Sequence, residues 1–139
     1  MIGTLTGTIA YREEQSIIVD VHGVGYRVLV PTSVSSKVVN EEGVKLYTHT
    51  HVREDLLELY GFTDPSDLKL FQHLISVSGV GCKTALTVFS VGSRQEISKA
   101  IVSNDVAFFT SVPRLGKKNA QKIIIELKNK LGGEDLDLA

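Results

Sequence analysis

The residues best suited to chemistry form a glycine-rich turn, Gly79-Val80-Gly81, followed by Lys83 and Thr84. Glycine permits backbone conformations closed to other residues and lets another backbone come close. The turn opens a predicted helix, whose free N–H groups and positive dipole end attract anions. Lys83 adds a charge, Thr84 adds a hydroxyl donor, and Val80 is expected to anchor the turn in the core. None of these groups reads base edges, so the pattern predicts sequence-independent binding of DNA phosphates.

A second copy of this device lies 35 residues further on, where VPRLGKKNA (112–120) aligns with VSGVGCKTA (77–85). Each copy is predicted to be a helix, a turn and a helix, and two copies indicate a pseudo-symmetric pair. Arg114 stands where the first copy has Gly79, which leaves open whether the backbone or the guanidinium contacts phosphate there. The candidate DNA-binding residues of this copy are Arg114, Leu115, Gly116, Lys117, Lys118 and Asn119.

The first turn also resembles an ATP-binding P-loop, but it departs from that motif in two ways. The motif needs glycine directly before the lysine and at its first position, where this chain has Cys82 and Val77. It also needs a strand in front, whereas a helix is predicted here. We therefore do not expect nucleotide binding at this turn.

Charge is distributed unevenly along the chain, although its net value is only -1. Residues 1–64 carry 5 Lys and Arg against 9 Asp and Glu, and residues 65–130 carry 10 against 4. Residues 131–139 add three acids and no base. A basic block beside an acidic one favours a nucleic-acid partner.

The hydrophobic periodicity changes once, near Asp64-Pro65. Before it, five segments rich in Val, Ile, Thr and Tyr predict strands, with a helical turn at 33–39, and suit a small closed barrel of the oligonucleotide-binding type. After it, a helix from Pro65 and further helices near 82–91, 94–103, 105–111 and 117–131 are predicted. The predicted fold is thus α+β and multidomain: a barrel at 1–63, a helical domain at 64–133 and an acidic tail at 134–139.

The paired turns resemble the helix-hairpin-helix motif of non-specific DNA-binding proteins, which the first copy matches in full. The order of parts, from HVREDLLELYGF in the barrel to LFQHLISVSGVGCKTAL and VPRLGKKNAQKIIIELKNKL, resembles the RuvA family. These proteins are the DNA-binding subunits of the Holliday-junction branch-migration complex. The resemblance implies a homotetramer, or an octamer of two tetramers, that holds a four-way junction open and nearly planar during homologous recombination and DNA repair.

The same resemblance assigns a role to two adjacent carboxylates, Glu54 and Asp55, which alone would be read as a solvated turn. They correspond to the family's acidic pin, which repels phosphates at the junction centre and guides strand separation. The family also carries a third domain that recruits the ATPase motor RuvB, and the RuvC resolvase is a further implied partner. That domain has no counterpart before Ala139, and the sequence leaves open whether the chain is an N-terminal fragment or a short member of the family. In either case we expect junction binding without stimulation of the motor.

Two other classes of function remain open at this point. A nuclease or glycosylase could use the hairpins for docking, and DNA cleavage with magnesium would reveal it. A single-strand-binding module could act through the barrel, although the barrel segment is acidic and has few aromatic residues for stacking. We predict no catalytic residue, cofactor or metal. The single cysteine, Cys82, and a start without a secretion signal favour the cytoplasm.

Overall fold

The computed structural model describes residues 1–131, which form five strands with one short helix among them and then five helices, as the α+β prediction requires. The elements in chain order are β1 (Thr4–Arg12), β2 (Ser16–Val21), β3 (Val24–Leu29), α1 (Thr32–Ser35), β4 (Gly43–Arg53), β5 (Leu56–Phe62), α2 (Pro65–Ile75), α3 (Cys82–Val91), α4 (Arg94–Val102), α5 (Val106–Thr110) and α6 (Lys117–Leu131). The chain divides into two compact units between Lys69 and Leu70. The acidic tail predicted at 134–139 lies outside the described residues.

The five strands close into a barrel in the order β1-β2-β3-β5-β4. All neighbours are antiparallel except β3 and β5, which pair in parallel at Val28↔Leu59 and Leu29↔Tyr60. Closure leaves no long free edge on these short strands, and the predicted barrel of the oligonucleotide-binding type is confirmed.

Alternating apolar residues of the strands fill the interior of the barrel. The buried cluster consists of Leu5, Ile9, Ile17, Val19, Val28, Val30, Leu46 and Leu59. One glycine is dictated by close packing, because a Cβ on Gly7 would lie 2.2 Å from the backbone oxygen of Asp20. The β-branched residues of these segments explain why they form half-buried strands.

The helical turn between β3 and β4 is shorter than the sequence prediction. The sequence predicts a helical turn at 33–39, whereas α1 spans only Thr32–Ser35. Its last residue is fixed to another loop, because the Ser35 hydroxyl donates a hydrogen bond to the backbone oxygen of Glu14. The β-branched Val38 and Val39, which have low helix propensity, follow outside the helix.

The helices begin at the capping residues that the sequence predicts. Asp64 precedes α2, and its carboxylate accepts a hydrogen bond from the backbone N–H of Ser66 at 2.8 Å. Ser93 and Glu96 form a reciprocal capping box at the start of α4. Within residues 1–131, no helix is long and apolar enough to cross a membrane.

Candidate nucleic-acid interface

The first hairpin, residues 76–81, is a tight loop between α2 and α3. Its conformation is fixed by a backbone hydrogen bond from the N–H of Val80 to the oxygen of Val77 at 3.0 Å. Both side chains are buried, with exposures of 5% for Val80 and 1% for Val77. The apolar pair therefore holds the loop to the core while Gly79 and Gly81 remain exposed.

The second hairpin, residues 111–116, repeats this construction between α5 and α6. The N–H of Leu115 donates to the oxygen of Val112 at 3.1 Å, and both side chains are buried. The two helix starts also agree. The N–H of Ala85 donates to the oxygen of Gly81 at the start of α3, and the N–H of Ala120 donates to the oxygen of Gly116 at the start of α6, both at 2.9 Å. The offset of 35 residues read from the sequence is thus a structural repeat.

A pair of serines at the start of the hairpins belongs to the same repeat and was missed by sequence reasoning. The hydroxyl of Ser76 donates to the oxygen of His73 at 2.6 Å, and that of Ser111 donates to the oxygen of Phe108 at 2.6 Å. Ser76 also accepts a hydrogen bond from Lys130 Nζ at 3.1 Å. Extending the alignment by one residue toward the N-terminus, ahead of Val77 and Val112, would have revealed the pair.

Arg114 takes the same left-handed backbone conformation as the glycine it replaces. Its φ is 70°, and the φ of Gly79 is 91°. A residue with a Cβ is disfavoured in this region by roughly 1–2 kcal/mol. The loop geometry therefore survives the loss of the glycine, at a cost in backbone strain that the surrounding structure sustains.

Replacing Arg114 by glycine is expected to stabilise the protein. Relief of the left-handed strain, offset by the greater freedom of glycine in the unfolded chain, should leave a gain of up to about 1 kcal/mol. Urea denaturation would measure this gain. Arg114→Ala is the matched control, since it also removes the guanidinium but keeps the strain. Equal stability of the two variants would contradict the strain assignment.

Neither packing nor backbone conformation requires glycine at positions 81 and 116. A Cβ at either position would meet no atom within 4 Å, and both residues are exposed. Gly81 has an extended backbone, with φ -88° and ψ 173°, which any residue can adopt. The open space at both helix starts is accessible to an anion that approaches the backbone closely.

Each hairpin has at least one exposed cationic side chain in its loop or in the first turn of the following helix. Lys83 is exposed in the first turn of α3, and Arg114, Lys117 and Lys118 are exposed at the second hairpin. Thr84 and Asn119, the third residues of α3 and α6, are half-buried. Asn119 also reaches the other loop, because a Cβ on Gly79 would lie 2.9 Å from its Oδ1 atom. The structure thus brings parts of the two predicted sites together.

The predicted pin residues, Glu54 and Asp55, form the two-residue turn between β4 and β5. Pairing of these strands continues up to Arg53↔Leu56, so the turn is the tip of a regular hairpin, and both acidic residues are exposed. Two-residue hairpin turns favour positive φ, as at His22 and Gly23, where φ is 51° and 92°. Glu54 and Asp55 are not among the described residues with positive φ.

The comparisons with known proteins match both parts of the chain. The family model for the RuvA N terminal domain matches residues 1–61, and the model for the SAM-like helix-hairpin-helix tandem matches residues 71–129. The second match covers both hairpins.

Relatives described as Holliday junction branch migration complex subunit RuvA align over nearly the whole chain. The protein of Pelobacter propionicus is 43% identical over 136 residues, which covers 98% of this chain and 69% of the relative. The proteins of Geobacter sulfurreducens and Herpetosiphon aurantiacus are 42% and 39% identical, and the chain covers 69% and 68% of their lengths. With this identity and coverage, and with both domain types in the same order, the chain belongs to the RuvA family.

Proposed function

We propose that this protein binds four-way junction DNA by its shape and without reading its sequence. The observation that carries the proposal is the pair of matching hairpins, each with an exposed glycine whose Cβ position is open. Backbone N–H groups at the starts of α3 and α6 would bind phosphates of the two strands of one arm. The names of the relatives connect this DNA chemistry with Holliday junctions and branch migration.

The finer parts of the proposal follow the family. The protein acts as a homotetrameric scaffold that keeps the junction open and nearly planar while the motor RuvB drives branch migration. Its own role is binding and not catalysis. The tetramer would let each subunit hold one arm, so that four copies of the same interface match the four arms of the junction.

The acidic pin contributes by repelling phosphates at the crossover. Its residues, Glu54 and Asp55, occupy a turn position where Asn-Gly or Asp-Gly would suit a hairpin better. A local choice that departs from turn preferences is expected at functional sites. The exposed tip of β4 and β5 carries two negative charges, which would separate the strands leaving the crossover.

Neutralising the pin, as Glu54→Gln with Asp55→Asn, is expected to leave junction binding intact or to tighten it. Removal of two like charges near phosphates can tighten binding by up to roughly tenfold at low salt. A gel shift with labelled junction measures the change. Glu41→Gln with Glu42→Gln is the control, since it removes two exposed charges elsewhere on the barrel. Strongly weakened binding would refute the pin assignment, and so would an equal tightening by the control pair.

A further inference from the structure

The contact between Gly79 and Asn119 joins one hairpin to the helix that follows the other. A Cβ added to Gly79 would lie 2.9 Å from Asn119 Oδ1 and 3.3 Å from Asn119 Nδ2. Asn119 is the third residue of α6, which begins directly after the second hairpin. Its side chain is therefore placed at the loop of the first hairpin.

This placement means that any side chain at position 79 would meet the Asn119 side chain. The positive φ of Gly79 already favours glycine, but Arg114 shows that this chain sustains a side chain in the same conformation. The two positions also differ in their neighbours, because a Cβ at position 79 would displace the amide at the end of the Asn119 side chain. The repeat maps Gly79 onto Arg114 and Asn119 onto Thr84. The pair that corresponds to Gly79 and Asn119 is therefore Arg114 and Thr84, in which the larger hairpin residue is matched with the smaller helix residue.

We propose that each hairpin receives a phosphate donor from the helix that follows the other hairpin. The Asn119 amide would serve the phosphate bound by Gly79-Val80-Gly81. By the symmetry of the repeat, the Thr84 hydroxyl would serve the phosphate at the second hairpin. This inference rests on the proposed DNA-binding function and goes beyond it, since it assigns these side chains across the repeat.

The chemistry of Asn119 suits this role. Its Nδ2 group offers two N–H donors, and side-chain amides are frequent donors to DNA phosphates. No other described residue forms a hydrogen bond with its side-chain amide. The amide is half-buried beside an exposed loop, so it can meet a ligand that reaches Gly79.

A double-mutant cycle on junction binding tests the assignment. Asn119→Ala should weaken binding about tenfold in the otherwise unchanged chain, as expected for one hydrogen bond to a charged group. Gly81→Ala displaces the phosphate of the first hairpin, so adding Asn119→Ala to it should cost less than about twofold. In the Gly116→Ala background the full tenfold loss should remain. Fluorescence anisotropy with a labelled four-way junction gives the affinities.

Thr84→Ala provides the second measurement, with the opposite pattern. Its effect should vanish in the Gly116→Ala background and persist in the Gly81→Ala background. Coupling of Asn119 with Gly116, additivity with both glycines, or no effect of Asn119→Ala would overturn the proposal. If neither glycine variant weakens binding while circular dichroism shows an intact fold, the proposed function itself fails. The two failures are therefore distinguishable.

Discussion

Gly81→Asp is expected to lower the affinity for four-way junctions by about two orders of magnitude. The change places a Cβ and a negative charge in the open space where a phosphate would approach the start of α3. Loss of a charge-assisted hydrogen bond costs roughly 1.5–3 kcal/mol, and repulsion between the carboxylate and the phosphate adds to it. The fold should persist, because a Cβ at position 81 meets no atom within 4 Å apart from those of its chain neighbours. Gel shifts would measure the loss.

Two further variants sharpen this prediction. Gly116→Asp should act in the same direction at the second hairpin. Gly3→Asp adds the same charge at another exposed glycine whose Cβ position is open, and it should change affinity little. Retained affinity in Gly81→Asp would contradict the role of the hairpin, as would an equal loss in Gly3→Asp.

Phe109→Ala is expected to have the largest effect on stability. Phe109 is fully buried in α5, and its backbone oxygen accepts the N–H of Val112 at the base of the second hairpin. Truncation of a buried phenylalanine costs about 3–5 kcal/mol through lost transfer energy and the cavity left behind. Urea denaturation should show this loss, and junction binding should weaken as the second hairpin loses its support.

The neighbouring phenylalanine is a matched control. Phe108 packs edge-to-face on Phe109 at 5.2 Å between ring centroids, so either substitution removes this aromatic pair. Phe108 is only half-buried, and its truncation should cost about 1 kcal/mol. Equal losses from the two substitutions would mean that the burial of Phe109 does not anchor the second hairpin.

Most of the fold could be predicted because local signals agree with the tertiary structure. The helices 82–91 and 117–131 have the predicted bounds, since each starts directly after a hairpin glycine. The prediction for α1 was less accurate, since the sequence predicts a helical turn at 33–39 and α1 spans only Thr32–Ser35. Ser35 also donates a long-range hydrogen bond to the backbone oxygen of Glu14, and such a contact leaves no periodic trace in the sequence.

The candidate site could be predicted only in part. The repeat located both hairpins and showed that Arg114 replaces the first glycine in the second one. It could not show whether arginine would keep the left-handed backbone. That depends on strain sustained by the packing of the buried Val112 and Leu115. The contact of Asn119 with Gly79 joins residues far apart in sequence, so no local pattern announces it.

A comparison of four-way junction, linear duplex and single-stranded DNA at two salt concentrations tests the central claim most directly. Gel shifts would give the affinities, and light scattering the number of subunits bound. We expect the protein to bind the four-way junction more tightly than the other two DNAs, and to bind it as a tetramer. If each subunit contacts about four phosphates, the slope of log affinity against log salt should be about -3.6 per subunit. Equal affinity for junction and duplex, a preference for single strands, or binding that ignores salt would contradict the account.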